Sequence, residues 1–279
     1  MEYKQNLHIH SSFCDGRDTP EELVKAAIEK GFDSIGFSGH SYMSFAPYFS
    51  MSIEGTEEYK KEITRLKEAY KDKIKIFLGL EAEMHSFPEL DTEGYDYLIG
   101  SCHFFEIEGE KVSCDRRAEV IKEVIDTYFG GDGLAYAKLY FKTLASLPEK
   151  GRFDIIGHFD IITKHSEREN FFDREDKAYR FAAIEAAEAL AGKIPYFEVN
   201  TGAMAKGLRT TPYPDPFIIK EMKRLGFGAV ISSDCHDKNM LDCGYDKSAE
   251  ILKDCGYKEI RVKSRFSWGD RLFCCNTNS

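Results

Sequence analysis

The sequence predicts an α/β fold built on a parallel sheet. Short apolar runs rich in Ile, Val and Phe alternate with longer amphipathic stretches along the chain. Seven such runs are separated by helical segments, the arrangement that right-handed parallel crossovers require. The 279 residues are 42% hydrophobic and 31% charged, enough to bury one large core. No repeat, low-complexity tract or Pro/Gly/Ser-rich linker marks a boundary, so residues 1–279 read as a single domain. The pattern suits a closed barrel or an open doubly wound sheet, and segment lengths do not choose between them.

The first run is Asn6–His10. Pro20–Lys30 reads as a helix, with Thr19 as N-cap, Pro20 in the first turn and Gly31 as a stop. Ser34–His40 is the second strand. Thr56–Lys71 is a charged helix with Ile63, Leu66 and Tyr70 at helical spacing. Ile74–Glu81 is the third strand and Tyr97–His103 the fourth. Residues 115–147 read as two helices broken at Gly130-Gly131-Asp132-Gly133. Asp154–His158 is the fifth strand, followed by a helix near 173–191. Tyr196–Thr201 is the sixth, followed by a helix near 215–225. Phe227–His236 is the seventh, then a helix near 245–254, and Glu259–Phe266 is a last extended segment.

Lys plus Arg is 38 and Asp plus Glu is 48, a net charge of −10. That argues against general nucleic-acid binding, which needs a basic surface. No apolar run approaches the ~20 residues of a membrane span. The N-terminus lacks the basic flank and apolar stretch of a signal peptide, so a cytoplasmic location is expected. Eight Cys without CxxC spacing read as free thiols, with Cys274 and Cys275 adjacent in a polar tail.

The informative fact is where His and acidic residues fall. Strand one ends in His8-Ile9-His10, two imidazoles on one face, with Asp15 in the following loop. Strand two ends in His40, strand three in Glu81 with Glu83 beyond, strand four in His103 and strand five in His158. Strand seven ends in Asp234-Cys235-His236. A lone histidine at a strand end is usually core or surface. Six of the eight histidines at five strand ends are not, because that edge of a parallel α/β fold is where active sites are built. His85 and His165 fall in loops. A His/Asp/Glu donor set without thiolates suits Zn, Fe or Mn, and nine groups suit two or three ions sharing a carboxylate. Such centres generate a nucleophilic hydroxide and clamp a phosphoryl or acyl group.

His8-x-His10-Ser11, Asp15-Gly16, Gly39-His40, Gly79-Leu-Glu81, Gly100-Ser-x-His103, Gly157-His158-x-Asp160 and Ser233-Asp234-x-His236 together resemble the ordered motifs of the polymerase-and-histidinol-phosphatase (PHP) family. The resemblance runs from residue 6 to about residue 237 and is strongest to the monofunctional histidinol-phosphatase branch. It implies a distorted (β/α)7 barrel with three divalent ions at the C-terminal rim. It further implies that His8, His10, Glu81 and Asp234 hold one ion. Glu81 would bridge to a second ion held with His103 and His158, and Asp15, His40 and His236 would hold the third. Some members carry His where this chain has Asp15, which still offers an oxygen; Glu81 is the expected bridging ligand and Glu83 the alternative to it. Three divalent ions outweigh the three carboxylates and leave a positive centre for a phosphomonoester dianion.

The implied reaction is hydrolysis of L-histidinol phosphate, a step of histidine biosynthesis, by in-line attack of a metal-bridging hydroxide. Arg209 is the expected phosphate clamp, with Lys206 and Lys164 next. The branch often carries Arg at the position of Lys164. Asp160 is the expected general acid and His165 the second candidate. Phe13, Tyr42, Phe45, Phe104 and Phe105 lie past strand ends and are candidates for the substrate pocket. Other readings stay open: an amidohydrolase, a PHP phosphoesterase acting on nucleotides or phosphotyrosine, a non-catalytic metal-binding protein, and a cysteine hydrolase using Cys235. The expected partner is a small phosphomonoester, with no nucleic acid and no membrane; oligomeric state is not legible.

Overall fold

The computed structural model describes residues 4–88, 90–264 and 267–272. Phe266, at the end of the expected last extended segment, and the Cys274–Cys275 pair lie outside the described residues. In chain order the elements are β1 (Gln5–Asn6), α1 (Pro20–Glu29), β2 (Ser34–Phe37), α2 (Ile53–Ala69), β3 (Lys75–Glu83), β4 (Tyr97–Ser101), β5 (Phe104–Ile107), β6 (Glu110–Ser113), α3 (Ala118–Phe129), α4 (Gly133–Ala145) and α5 (Leu147–Lys150). There follow β7 (Ile155–Ile156), α6 (Lys177–Leu190), β8 (Tyr196–Asn200), α7 (Gly202–Ala205), α8 (Pro216–Arg224), β9 (Gly228–Ser232), α9 (Tyr245–Asp254), β10 (Glu259–Lys263) and β11 (Trp268–Leu272).

Seven strands form one sheet in the order β1-β2-β3-β4-β7-β8-β9, every neighbouring pair parallel. Beyond β1 and β9 a parallel bridge joins Ile9 to Cys235, and the His10 N–H donates to the Cys235 carbonyl at 3.0 Å. The two edges therefore meet, and the sheet is a nearly closed (β/α)7 barrel rather than an open one.

Tyr97 fills the barrel interior. Its hydroxyl donates to the Leu7 carbonyl at 2.5 Å, and a Cβ at Gly36 or Gly79 would lie 2.3 or 2.2 Å from Tyr97 atoms. Glycine at those two positions is what lets the ring cross the barrel. Leu7, Phe77, Ile99, Ile155 and Val230 pack with it. The antiparallel hairpin β10–β11 sets Trp268 against Tyr196, ring centroids 4.4 Å apart and tilted by 40°, beside this inner cluster. The larger core lies outside the strands, where helices turn apolar stripes inward, such as Leu23, Val24 and Ala27 of α1 and Tyr179, Ala183 and Ala187 of α6.

Several boundaries move from the sequence expectation for local reasons. The first strand stops at Asn6 because its side-chain oxygen accepts the His8 N–H at 3.1 Å. α2 starts earlier, capped by Ser52, whose hydroxyl accepts from Gly55 N at 2.9 Å. α6 starts later, because Asp173 closes its own turn and Asp176 caps the helix. Gly130, at φ +59°, ends α3 as the Gly-Gly-Asp-Gly break predicts. The β5–β6 hairpin falls in a stretch read without strands, and Glu108 and Gly109 turn it with positive φ. Among the described residues no helix is long and apolar enough to cross a membrane.

Candidate metal centre

The eight ligand candidates expected at strand ends, and Asp15 from the loop after the first, converge on the C-terminal mouth of the barrel. Interior parity places Glu81 on β3, after Phe77 and Gly79, above Tyr97. A parallel bridge between His40 and Glu81 carries the β2–β3 register to the rim. Glu81 is the hub. Its Oε1 lies 2.9 Å from His158 Nε2 and 3.3 Å from His103 Nε2, and accepts from Ser101 Oγ at 2.8 Å. Its Oε2 lies 2.7 Å from His40 Nδ1, 3.5 Å from His8 Nε2 and 3.6 Å from His10 Nε2. Glu83 sits behind this cluster and accepts from the His103 backbone and Nδ1 at 2.8 and 3.1 Å. It orients the imidazole and does not replace Glu81.

Asp234 Oδ1 approaches His10 Nε2 at 3.0 Å and His8 Nε2 at 3.7 Å. Its backbone is left-handed, at φ +47°, which is strained for a residue with a Cβ. Gly202 makes room, since a Cβ there would lie 2.8 Å from Asp234 Oδ2. Asp15 Oδ2 lies 3.2 Å from His236 Nε2, and its Oδ1 is 3.4 Å from His10 Nδ1 and 3.8 Å from His40 Nε2.

These donors fit divalent ions. His8 Nε2, His10 Nε2 and Glu81 Oε2 are buried without a hydrogen-bond partner, although buried polar atoms are normally satisfied. His8, His10 and Glu81 offer donors within 4.8 Å of one another, as do His40, Glu81 and His103, and His10, Asp15, His40 and His236. Imidazoles stand close, with His10 and His236 rings stacked at 4.1 Å and His10 and His40 at 4.4 Å. Neutral imidazoles and ionised carboxylates are what a cation requires. Burial lowers the pKa of His40, and it holds His236 down at about 4. At His8 burial is outweighed by the Glu198, Asp234 and Glu81 carboxylates, which raise it to about 10. Burial would raise the carboxyl of Asp15, but His10 and His236 pull it far below the usual range.

A cavity of about 240 Å³ opens over the cluster, lined also by Tyr48, Phe49, Ser113, Asp115, Arg116, Ile161, Lys164 and Lys206. Lys164 and Lys206 thus stand where the sequence reading put cations. Lys164 Nζ is held by Asp115 at 2.5 Å. Burial lowers the pKa of Lys206, but the Asp234, Asp115, Asp15 and Glu81 charges outweigh it and raise it above its ordinary value.

Eight residues expected to act on the substrate do not line this cavity. Arg209 does not line the cavity: its buried guanidinium donates to Thr163 Oγ1 and, at 3.1 Å, to Asp215 Oδ1. The turn after α7 folds this side chain inward. Asp160 is fully buried, and its Oδ2 accepts from Asp215 N at 3.0 Å. Burial, then the Asp215 charge, raises its pKa to about 7, but it ties two loops together and faces no solvent. His165 Nε2 donates to the Arg116 carbonyl at 2.8 Å and is likewise absent from the lining. Phe13 packs on the Tyr59 ring at 5.8 Å, and Tyr42 is not at the cavity wall. Phe104 and Phe45 line an adjoining cavity of about 420 Å³, while Phe105 is buried against Tyr136.

The sequence reading missed Glu198, Phe49, Asp115 and Arg116. Glu198 lies on the interior face of β8 and accepts from His8 Nδ1 at 2.9 Å, the His158 N–H at 2.7 Å, Asn200 Nδ2 at 2.7 Å and Ser232 Oγ at 2.5 Å. Period-two spacing with Asn200 was its signal. Phe49 sets its ring edge against His40 at 4.8 Å. Asp115 and Arg116 follow the β5–β6 hairpin, whose strands had no clear sequence signature. Cys235 is buried, and burial pushes its thiol up to about 12, which removes the cysteine-hydrolase reading.

A nearly closed parallel barrel whose rim gathers histidines and carboxylates defines an α/β-barrel protein with a donor set for divalent ions. The PHP domain model matches residues 6–202, and the chain belongs to the PHP family. A Deinococcus radiodurans protein described as "Probable histidinol-phosphatase" is 25% identical, over 92% of this chain and 96% of its own. The "Histidinol-phosphatase" of Bacillus subtilis is 26% identical, over 88% of this chain and 98% of its own. A crystal structure of histidinol phosphate phosphatase from Lactococcus lactis, complexed with zinc, L-histidinol and phosphate, superposes with a TM-score of 0.73 at 24% identity. It covers 94% of this chain and 97% of that one.

Proposed function

We propose that this chain is a metal-dependent histidinol-phosphatase, hydrolysing L-histidinol phosphate to L-histidinol and phosphate in histidine biosynthesis. The observation that carries the reading is Glu81, a buried carboxylate within 3.6 Å of five imidazoles whose facing nitrogens include unsatisfied ones. The relatives' names supply the substrate, and the zinc, L-histidinol and phosphate of the Lactococcus lactis structure supply the ligand chemistry. His8, His10, Glu81 and Asp234 would hold one ion; Glu81, His103 and His158 a second; Asp15, His40 and His236 a third. Zinc is the first candidate, and manganese or iron suit the same N and O donors.

When bound, the ions supply Lewis acidity and lower the pKa of an attacking water. The chain's own residues do the rest. Glu198 and Glu83 fix the His8 and His103 rings. Lys206 and Lys164 present ammonium groups to an anion in the cavity. Phe49 and Ile161 give the organic group apolar walls. Asp15 and His236 keep 32% and 18% of their side chains exposed, so the cluster opens to solvent, unlike a closed storage site.

The test is kcat/KM for L-histidinol phosphate on zinc- or manganese-loaded protein, beside p-nitrophenyl phosphate, a nucleoside monophosphate and a phosphotyrosine peptide. A preference of several hundred-fold for L-histidinol phosphate is expected. Equal, slow rates on all four would discard the substrate. No phosphate release from metal-loaded protein would discard the phosphatase.

A further inference from the structure

We propose that Arg116 grips the substrate's phosphate, the role that sequence reasoning gave to Arg209; the proposal rests on the phosphatase reading above. A phosphomonoester dianion is best matched by a guanidinium fork that is free to turn toward it. Among the residues lining the metal cavity Arg116 is the one arginine. Of the two other cations of that wall, Lys164 is paired with Asp115 at 2.5 Å, and Lys206 offers a single ammonium rather than a planar fork. Arg116 makes no ion pair among the described residues, and its side chain is exposed. Its charge is therefore available to an incoming anion in a protein that is acidic as a whole.

The local construction fits a hinge-mounted fork. The Arg116 carbonyl accepts from His165 Nε2 at 2.8 Å, which pins the backbone. The preceding strands of the hairpin pin it from the other side, with Cys114 N donating to the His103 carbonyl at 2.9 Å. The guanidinium itself is held by one phenol: Nη1 donates to Tyr48 OH at 2.8 Å, and the group lies 5.5 Å from that ring's centroid. Tyr48 is 64% exposed, so this hold is solvated and is exchanged for a phosphate at little cost. Arg116 and Tyr48 line both the metal cavity and the adjoining 420 Å³ cavity, so the guanidinium stands at the boundary of the two. Arg209, by contrast, is buried and already bonded to Asp215.

The experiment compares metal-loaded wild type with Arg116→Met, Arg116→Lys and Tyr48→Phe. The readouts are steady-state hydrolysis of L-histidinol phosphate and calorimetric binding of inorganic phosphate. Arg116→Met should weaken phosphate binding and raise KM together, by about ten- to a hundredfold, the range of a charge-assisted hydrogen bond. Metal content should stay the same. Arg116→Lys should recover part of the loss, and Tyr48→Phe should leave phosphate binding equal or tighter. Unchanged phosphate binding in Arg116→Met overturns the proposal, whatever the substrate. If wild type binds phosphate through Arg116 but leaves L-histidinol phosphate intact, the substrate reading falls and the anion grip stands. If wild type binds no phosphate, both fall.

Discussion

Glu198 Oε2 and His8 Nδ1 meet at 2.9 Å with neither side chain exposed. The carboxylate accepts from Nδ1–H, which turns Nε2 toward Glu81 at 3.5 Å, where its lone pair would serve a bound ion. Three further donors hold Glu198 still, so it sets the tautomer and the ring angle at once. Glu198→Gln should lower metal affinity by about ten- to a hundredfold. Competition against a chromophoric chelator measures this, and wild-type affinity in the variant would show that His8 needs no such partner.

His40 and His236 both approach Asp15, at 3.8 and 3.2 Å. His40→Ala or His236→Ala should each remove about one ion per chain and most activity. Metal analysis of the purified variants checks the count, and full occupancy in both would rule out a separate ion at Asp15.

Arg209 and Asp215 form a buried pair, with 1% and 11% of their side chains exposed. Removing one partner strands the other charge. Arg209→Met should cost about 3–5 kcal/mol in urea unfolding, while inorganic phosphate binding stays near wild type. Normal stability with weakened phosphate binding would return Arg209 to the substrate.

Asp160 keeps its proton to about pH 7 in the fold, against a usual carboxyl value near 3.8. The native state therefore binds more protons than the unfolded chain between those values, and this group's stabilising contribution falls as pH rises through the window. Asp160→Asn should flatten that part of the stability profile and gain on wild type above pH 7. Parallel denaturant titrations at pH 5 and 8 test the sign; an equal offset at both would refute it.

The barrel and its rim were legible because strand-end placement is a short-range pattern. His8-x-His10, Glu81 and Asp234-x-His236 announce both their strand and their face. What surrounds the rim was not. Arg209 and Asp160 look like site residues in sequence, but tertiary packing turns them into a buried tie through Asp215. Phe49 and Arg116 reach the cavity from connections whose paths no periodicity fixes. Glu198 was readable by parity alone, but a carboxylate inside a strand carries no motif until the histidine it holds is in place.

The Ile9–Cys235 bridge has a further consequence during synthesis. Asn6 and Ser233, bonded to each other beside that bridge, are 227 residues apart in the chain. His8 and His10 leave the ribosome early and Asp234 and His236 late. At about 5–20 residues per second the early histidines wait on the order of ten seconds or more for their partners. A nascent chain thus offers an ion only fragments of the cluster, and tight capture is deferred until the last barrel strand arrives.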